Sequence, residues 1–283
     1  MIISGKTRVC GIIGDPVGHS MSPAMHNAAF RELGLDYVYV PFRVGGEALG
    51  GAIGGMRALG IRGLNVTIPH KVAVLPFLDA LDPLAQRIGA VNTIVNDNGT
   101  LTGYNTDAAG FMQALLAGGI EPEGRNVVVL GAGGAARAVS FALAERGARL
   151  TILNRHVDKA TALAGRISRD YPGAAARRLD DENLSAALAG ADILVNATSS
   201  GMSPGAGDTP VPAGRLRDGI IVCDIVYNPL RTRLLREAEA AGARVIGGMD
   251  MLAWQGALAF EKWTERKAPL ELMKGEAIEA LGL

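Results

Sequence analysis

Aromatic side chains are scarce in this 283-residue chain, at 5%, although apolar residues make up 48% of it. A core short of Phe, Tyr and Trp has to be filled by Ala, Val, Leu and Ile, which suits sheets covered by helices. Net charge is missing too. Lys plus Arg equals Asp plus Glu, 28 against 28, so no overall field draws the chain to nucleic acid or to an anionic membrane. An anionic ligand must then be held by local groups. No uninterrupted apolar run reaches the ~20 residues that span a bilayer, and no basic segment followed by an apolar one opens the chain. The expectation is a soluble, unexported protein without a membrane partner. Cysteine is nearly absent as well: Cys10 and Cys223 are the only two. Each sits in an apolar, strand-like run, where a small buried thiol is commoner than a bridge or a metal ligand. This points to a reducing cytoplasm and to no metal site.

Glycine is plentiful, at 38 residues, but follows no period and punctuates the loops between apolar runs. From Arg8 onward those runs alternate with helix-length amphipathic segments: Val9 to Ile13, Pro23 to Leu33, Tyr37 to Phe42, Glu47 to Leu59 and Gly63 to Val66. Alternation of this kind predicts an α/β fold with a mostly parallel sheet. Ser22-Pro23 suits a helix start, with Ser as N-cap and Pro at the first helical position. Val91 to Val95 and Leu101 to Tyr104 flank Asn98-Gly99, a type I′ turn pair, and predict a hairpin. After a helix over Asp107 to Ala117, the loop Gly118 to Gly124 leads into a second α/β series that begins at Asn126. From Met249 to Trp263 apolar residues fall at helical spacing and no strand follows, so the closing helices are expected to return to the first domain.

Val127 to Leu130 reads as a buried strand, and Gly131-Ala132-Gly133-Gly134-Ala135-Ala136 follows at once and opens a helix. This is the G-x-G-x-x-A dinucleotide fingerprint in its strand-turn-helix setting. Gly131 allows the tight turn, Gly133 lets a pyrophosphate approach the backbone, and Ala136 permits close helix packing. The next strand ends at Leu153, where an NAD enzyme usually places Asp or Glu on the ribose 2′-OH. Here Asn154-Arg155 stands instead. A neutral side chain and a guanidinium remove the repulsion of a 2′-phosphate and supply a planar donor for it, so the cofactor expected is NADP.

Four polar clusters interrupt the first series where loops should leave strand ends: His19 to Ser22, Asn65 to Lys71, Asn92-Thr93 and Asn105-Thr106-Asp107. Their hydroxyls, amides, one amine and one carboxylate suit a small polyhydroxylated acid. Each alone also suits a structural task, Ser22 and Asp107 as helix caps, Asn92 and Asn105 in turns. Taken together with Gly14 to Pro23, Gly89 to Thr93, Gly103 to Asp107, Asn196-Ala197-Thr198, Asp224 to Pro229 and Gly248 to Gln255, they closely resemble the motif series of the shikimate dehydrogenase family, in order and spacing, over nearly the whole chain.

The resemblance implies reversible, NADPH-dependent reduction of 3-dehydroshikimate to shikimate, in aromatic amino acid (chorismate) biosynthesis. Ser20 and Ser22 would bind the substrate carboxylate, and Thr67, Asn92, Asp107 and Gln255 the ring hydroxyls. Lys71 and Asp107 would form the catalytic pair, because a hydride-reduced ketone must take up a proton. Gly131, Gly133, Gly134 and Ala135 would hold the pyrophosphate, with Asn154, Arg155, His156 and Lys159 near the 2′-phosphate. Thr198 and Gly248 would line the cofactor site, and Tyr227 would touch both substrate and nicotinamide. His156 departs from the family's Asn-Arg-Thr pattern, where Thr stands. The implied architecture is a substrate-binding catalytic domain over 1–107, an NADP-binding Rossmann-type domain over 108–247, and C-terminal helices over 248–283 packing back on the first, in a monomer or homodimer. Two alternatives remain: a quinate/shikimate dehydrogenase using NAD or NADP, and a non-catalytic NADP sensor on the same scaffold.

Overall fold

In the computed structural model, which describes residues 3–282, the first apolar run forms strand β1 (Arg8–Gly14). Helix α1 (Ser22–Glu32), β2 (Tyr37–Arg43), α2 (Leu49–Ala58) and β3 (Gly63–Val66) follow. Both β2 and β3 pair with β1 in parallel, since a helix carries the chain back each time. The short α3 (His70–Ala73), β4 (Ala80–Leu81) and α4 (Pro83–Ile88) lead to a hairpin of β5 (Thr93–Asp97) and β6 (Thr100–Tyr104). Asn98 and Gly99 turn it with φ of 52° and 94°, the pair of positive values a type I′ turn needs. The sheet order is β2-β1-β3-β5-β6-β4, with β5 antiparallel to both of its neighbours.

Next, α5 (Asp107–Ala117) precedes β7 (Asn126–Leu130), α6 (Gly134–Glu145), β8 (Arg149–Asn154), α7 (Val157–Ile167), β9 (Ala174–Arg178) and α8 (Asp181–Ala189). The series ends with β10 (Ile193–Asn196), β11 (Ile221–Asp224), α9 (Arg233–Ala240) and β12 (Arg244–Ile246). Every pairing here is parallel, in the order β12-β11-β10-β7-β8-β9. That is the Rossmann order, and it reverses direction between β7 and β10, where the strand ends open a crevice for ligands. Val127 to Leu130 and Ile193 to Val195 are buried, which accounts for their unbroken apolar character. The sequence pattern misses β9, because Ala174-Ala175-Ala176-Arg177-Arg178 contains no β-branched or aromatic residue. Pairing with β8, from Ala174↔Leu150 to Arg178↔Asn154, makes it an edge strand.

The chain closes with α10 (Gly248–Thr264) and α11 (Leu270–Glu279). Among the described residues, those up to 110 together with those from 253 onward make one compact unit and 111–252 the other. Within the first, Trp263 lies on the sheet, its Nε1 donating to the Ile94 carbonyl at 3.0 Å. It fits there because Gly63 has no side chain: a Cβ at that position would meet the indole Nε1 at 2.0 Å. Tyr37, Tyr39, Phe30 and Phe260 gather beside it, with His26 stacked on Tyr39 at 4.4 Å and Phe30 on Phe260 at 5.2 Å between ring centroids. Cys10 and Cys223 are buried free thiols. Among the described residues no helix is long and apolar enough to cross a membrane.

Candidate active site

The strand ends of the first unit bring together the clusters at Asn65 to Lys71, Asn92-Thr93 and Asn105 to Asp107, and the loop that carries His19 to Ser22 begins beside them. The loops after β1 and β3 are tied by Asp15 N–H to the Ile68 carbonyl and Thr67 N–H to the Ile13 carbonyl, at 3.0 and 2.9 Å. Thr67 is half-buried and crowds Gly14, where a Cβ would lie 2.3 Å from its methyl carbon. The cap expected at Ser22 does not form. Met21 is already helical, with φ −81° and ψ −11°, so α1 starts one residue early and Met21 holds the N-cap position without a side-chain bond. The Ser22 hydroxyl is thereby taken off the amides it would cap. Instead the Ser22 N–H donates to Ser20 Oγ at 3.3 Å, folding the two serines toward each other.

Lys71 follows His70, whose buried ring is bound at 2.6 Å to the Val44 carbonyl, and the Lys71 carbonyl accepts from Val91 N–H at 2.8 Å. Its Nζ donates to Asp107 Oδ2 at 2.5 Å, with the two side chains only 15% and 4% exposed. The helix-capping task that Asp107 also suited falls to Asn105, whose Oδ1 accepts from Ala108 N–H at 3.2 Å. The Asp107 carboxylate is left for Lys71 and for Asn92, which donates to Oδ1 at 2.8 Å. Asn92 is fixed in turn: its Oδ1 accepts from Thr106 N–H at 2.7 Å, and its Nδ2 lies 3.2 Å from Gln255 Oε1. An amine and a carboxylate are thus held together beside two amides, an arrangement suited to moving a proton at Nζ and to binding hydroxyl groups.

In the second unit the fingerprint turn has the features an anion requires. Gly131 has φ +111°, and a Cβ there would meet the Ala197 carbonyl oxygen at 2.8 Å, whereas the space around Gly133 is open. The N-cap of α6, Gly133, offers no side-chain acceptor, and the first turn carries no acid. The leading amides of α6, at Gly134 and Ala135, are therefore without a capping side chain, and the helix dipole favours a phosphate beside them. At the end of β8, Asn154 Nδ2 donates to the His156 carbonyl at 2.9 Å. Arg155, His156 and Lys159 are exposed there. Thr198 donates its hydroxyl to Asn196 Oδ1 at 2.7 Å. Tyr227 is half-buried, and burial pushes its phenol above the ordinary value. Gly248 opens α10 where a Cβ would stand 2.3 Å from the Ile225 carbonyl oxygen. Among the described residues no group of three or more His, Cys, Asp or Glu could hold a metal.

Family models match three stretches: the shikimate dehydrogenase substrate binding domain over residues 12–94, the shikimate / quinate 5-dehydrogenase over 116–203, and the shikimate 5′-dehydrogenase C-terminal domain over 248–278. A relative from Moorella thermoacetica named shikimate dehydrogenase (NADP(+)) is 48% identical over 282 residues, 99% of this chain and 96% of that one. A Methanopyrus kandleri relative of the same name is 51% identical over 284 residues, 99% and 98% of the two chains. The chain belongs to the shikimate dehydrogenase family. Among solved structures it resembles the Thermus thermophilus shikimate 5-dehydrogenase in complex with NADP(H) and shikimate, with TM-score 0.87 and 43% identity over 97% of this chain and 100% of that one.

For this shikimate dehydrogenase family member, sequence reasoning named the segments Asn196 to Thr198 and Asp224 to Pro229 but gave neither Asn196 nor Asp224 a task. Both are buried, and Asp224 accepts from Asn196 Nδ2 at 2.9 Å and from Thr232 Oγ1 at 2.7 Å. A polar residue at the carboxyl end of an apolar run was the available signal. What it lacked was the distance between two strands that are neighbours only in the sheet.

Proposed function

We propose that this protein is an NADP-dependent shikimate dehydrogenase, reversibly reducing 3-dehydroshikimate to shikimate in the route to chorismate and the aromatic amino acids. The observation that carries the reading is the 2.5 Å Lys71–Asp107 bond, held beside Asn92 in a largely buried setting. Bound NADPH supplies the hydride. The oxygen of the reduced carbonyl needs one proton, which Lys71 Nζ delivers, and in the oxidative direction Lys71 removes it. Asp107 orients that amine and, with Thr67, Asn92 and Gln255, accepts from or donates to ring hydroxyls. Ser20 and Ser22 bind the carboxylate, and we assign Tyr227 a ligand-binding role. Gly131, Gly133, Gly134 and Ala135 hold the pyrophosphate; Asn154, Arg155, His156 and Lys159 hold the 2′-phosphate; Thr198 and Gly248 line the rest of the cofactor. We assign the enzyme to the cytoplasm, as a monomer or homodimer.

The test is the change in nicotinamide absorbance with shikimate or quinate, each with NADP or NAD. Shikimate with NADP is expected to be the fastest pair. Faster oxidation of quinate with NAD would make the protein a quinate/shikimate dehydrogenase, and tight NADP binding without turnover would make it a sensor.

A further inference from the structure

Asp224 ends β11 and Asn196 ends β10, and the two are register partners in the parallel sheet. Both are almost wholly buried, at 2% and 0% exposure. Asp224 Oδ1 accepts from Asn196 Nδ2 at 2.9 Å and from Val226 N–H at 3.1 Å, while Oδ2 accepts from Thr232 Oγ1 at 2.7 Å. Held from that side, Asn196 turns its Oδ1 toward the following loop, where it accepts from Thr198 N–H at 3.1 Å and Thr198 Oγ1 at 2.7 Å. Its Nδ2 also reaches the Ser200 carbonyl at 3.2 Å, and Thr198 Oγ1 accepts from Ser200 N–H at 3.1 Å. The loop fixed in this way forms one wall of the fingerprint turn. The Ala197 carbonyl oxygen and the Thr198 methyl stand 2.8 and 3.3 Å from where a Gly131 Cβ would be.

We propose that Asp224 is a positioning residue for the dinucleotide: through Asn196 it holds Thr198 and the 197–200 loop as the rigid wall against which the Gly131 turn receives its ligand. The proposal rests on the reading that the second unit binds NADP. A carboxylate is the one side chain able to accept from three donors at once without offering a donor of its own. Stability alone does not account for it. Burial outweighs those donors and pushes the Asp224 carboxyl up to about 6, so the ionised form weakens the fold above that pH. A group that costs stability where it stands is expected at a site serving a ligand.

The experiment is titration of the full-length protein with NADP in the absence of shikimate, followed by steady-state kinetics, for Asp224→Ala, Asn196→Ala, Asp224→Asn and Thr232→Val. Asp224→Ala and Asn196→Ala are each expected to raise the NADP Kd at least about tenfold. The shikimate KM at saturating NADP stays within about twofold. Asp224→Asn should recover most of the affinity, because its amide oxygen still accepts from Asn196 and its nitrogen can donate to Thr232. Thr232→Val removes the donor to Asp224 Oδ2 and the cap of α9 but none of the bonds that Asn196 makes, so it lowers Tm and leaves the NADP Kd within about twofold. If Asp224→Ala fails to fold, Asn196→Ala decides. NADP binding by Asn196→Ala as tight as wild type overturns the proposal, and so does a Thr232→Val variant weakened as far as Asn196→Ala. Failure of the wild type to bind NADP would remove the cofactor reading and this proposal with it, whereas an unaffected Asn196→Ala would remove this proposal alone.

Discussion

Lys71 is the only amine among the polar clusters at the strand ends of the first unit, and its reach to Asp107 depends on which residue caps α5. Because Asn105 takes the Ala108 amide, Asp107 keeps both oxygens for Lys71 and Asn92. Sequence could offer Asp107 either task; the position of one neighbouring amide chose between them. Substituting Lys71 by Ala is expected to lower kcat by ~10²-fold or more, the scale of losing a positioned acid/base group. The shikimate KM should change little, since the hydroxyls and carboxylate keep their other partners. Steady-state rates in a variant of wild-type Tm check this, and a near-normal kcat would take Lys71 out of the chemistry.

At the scale of elements, the junction of β8 with α7 sets cofactor choice. Arg155 and Lys159 stand four residues apart on an exposed helix start, and neither has a charged partner among the described residues. A charge-assisted bond contributes ~1.5 to 3 kcal/mol before desolvation and ordering costs. The expected kcat/KM with NADP exceeds that with NAD by at least about tenfold, and Asn154→Asp with Arg155→Ala erases or reverses the preference. Equal use of NAD by the wild type would contradict the 2′-phosphate assignment. A double variant that keeps its preference would direct attention to His156. The contact of β3 with α10 gives a stability prediction instead. Gly63→Ala drives a methyl into the Trp263 indole at 2.0 Å, and overpacking of a filled core costs ~1 to 3 kcal/mol or more. A Tm lower by several degrees is expected, and a Tm equal to wild type would mean that the ring has room to move.

Across the whole molecule, two buried groups set opposing responses to acid. His26 is fully buried with neither ring nitrogen hydrogen-bonded, and burial pushes its pKa from 6.5 down to about 3. The unfolded chain therefore binds this proton over that interval while the folded one does not, so stability falls as pH drops from 6.5 toward 3. Asp224 acts the other way: burial first, against its three donors, lifts it from 3.8 to about 6, and stability rises as pH falls through that window. Each contributes a slope of at most ~1.4 kcal/mol per pH unit, and where the windows overlap the two offset. Replacing His26 by Leu removes one of them. The stability of His26→Leu relative to wild type, from urea midpoints, is expected to improve by roughly 2 kcal/mol between pH 7 and pH 5. An unchanged difference would show that the imidazole finds a partner in solution.

The amino-acid sequence by itself determined those features whose causes lie within a few residues. The Asn98-Gly99 turn follows from two tolerated positive φ values, the Gly131 turn from a positive φ that glycine adopts without strain, and the buried strands from unbroken apolar runs. The clusters of Ser, Asn, Thr, Lys and Asp were legible for the same reason, as polar residues where apolar runs stop. Tertiary structure decided what depends on residues distant in the chain. Ala174 to Arg178 became a strand because β8 offered an unpaired edge, not because alanine prefers one. Trp263 found its place only through Gly63, and Asp224 came to accept from Asn196 only when β10 and β11 lay side by side. Propensity acts along the chain, whereas desolvation and hydrogen-bond satisfaction act through space. A carboxylate whose partners are brought by another strand therefore carries no mark of its task in the linear order.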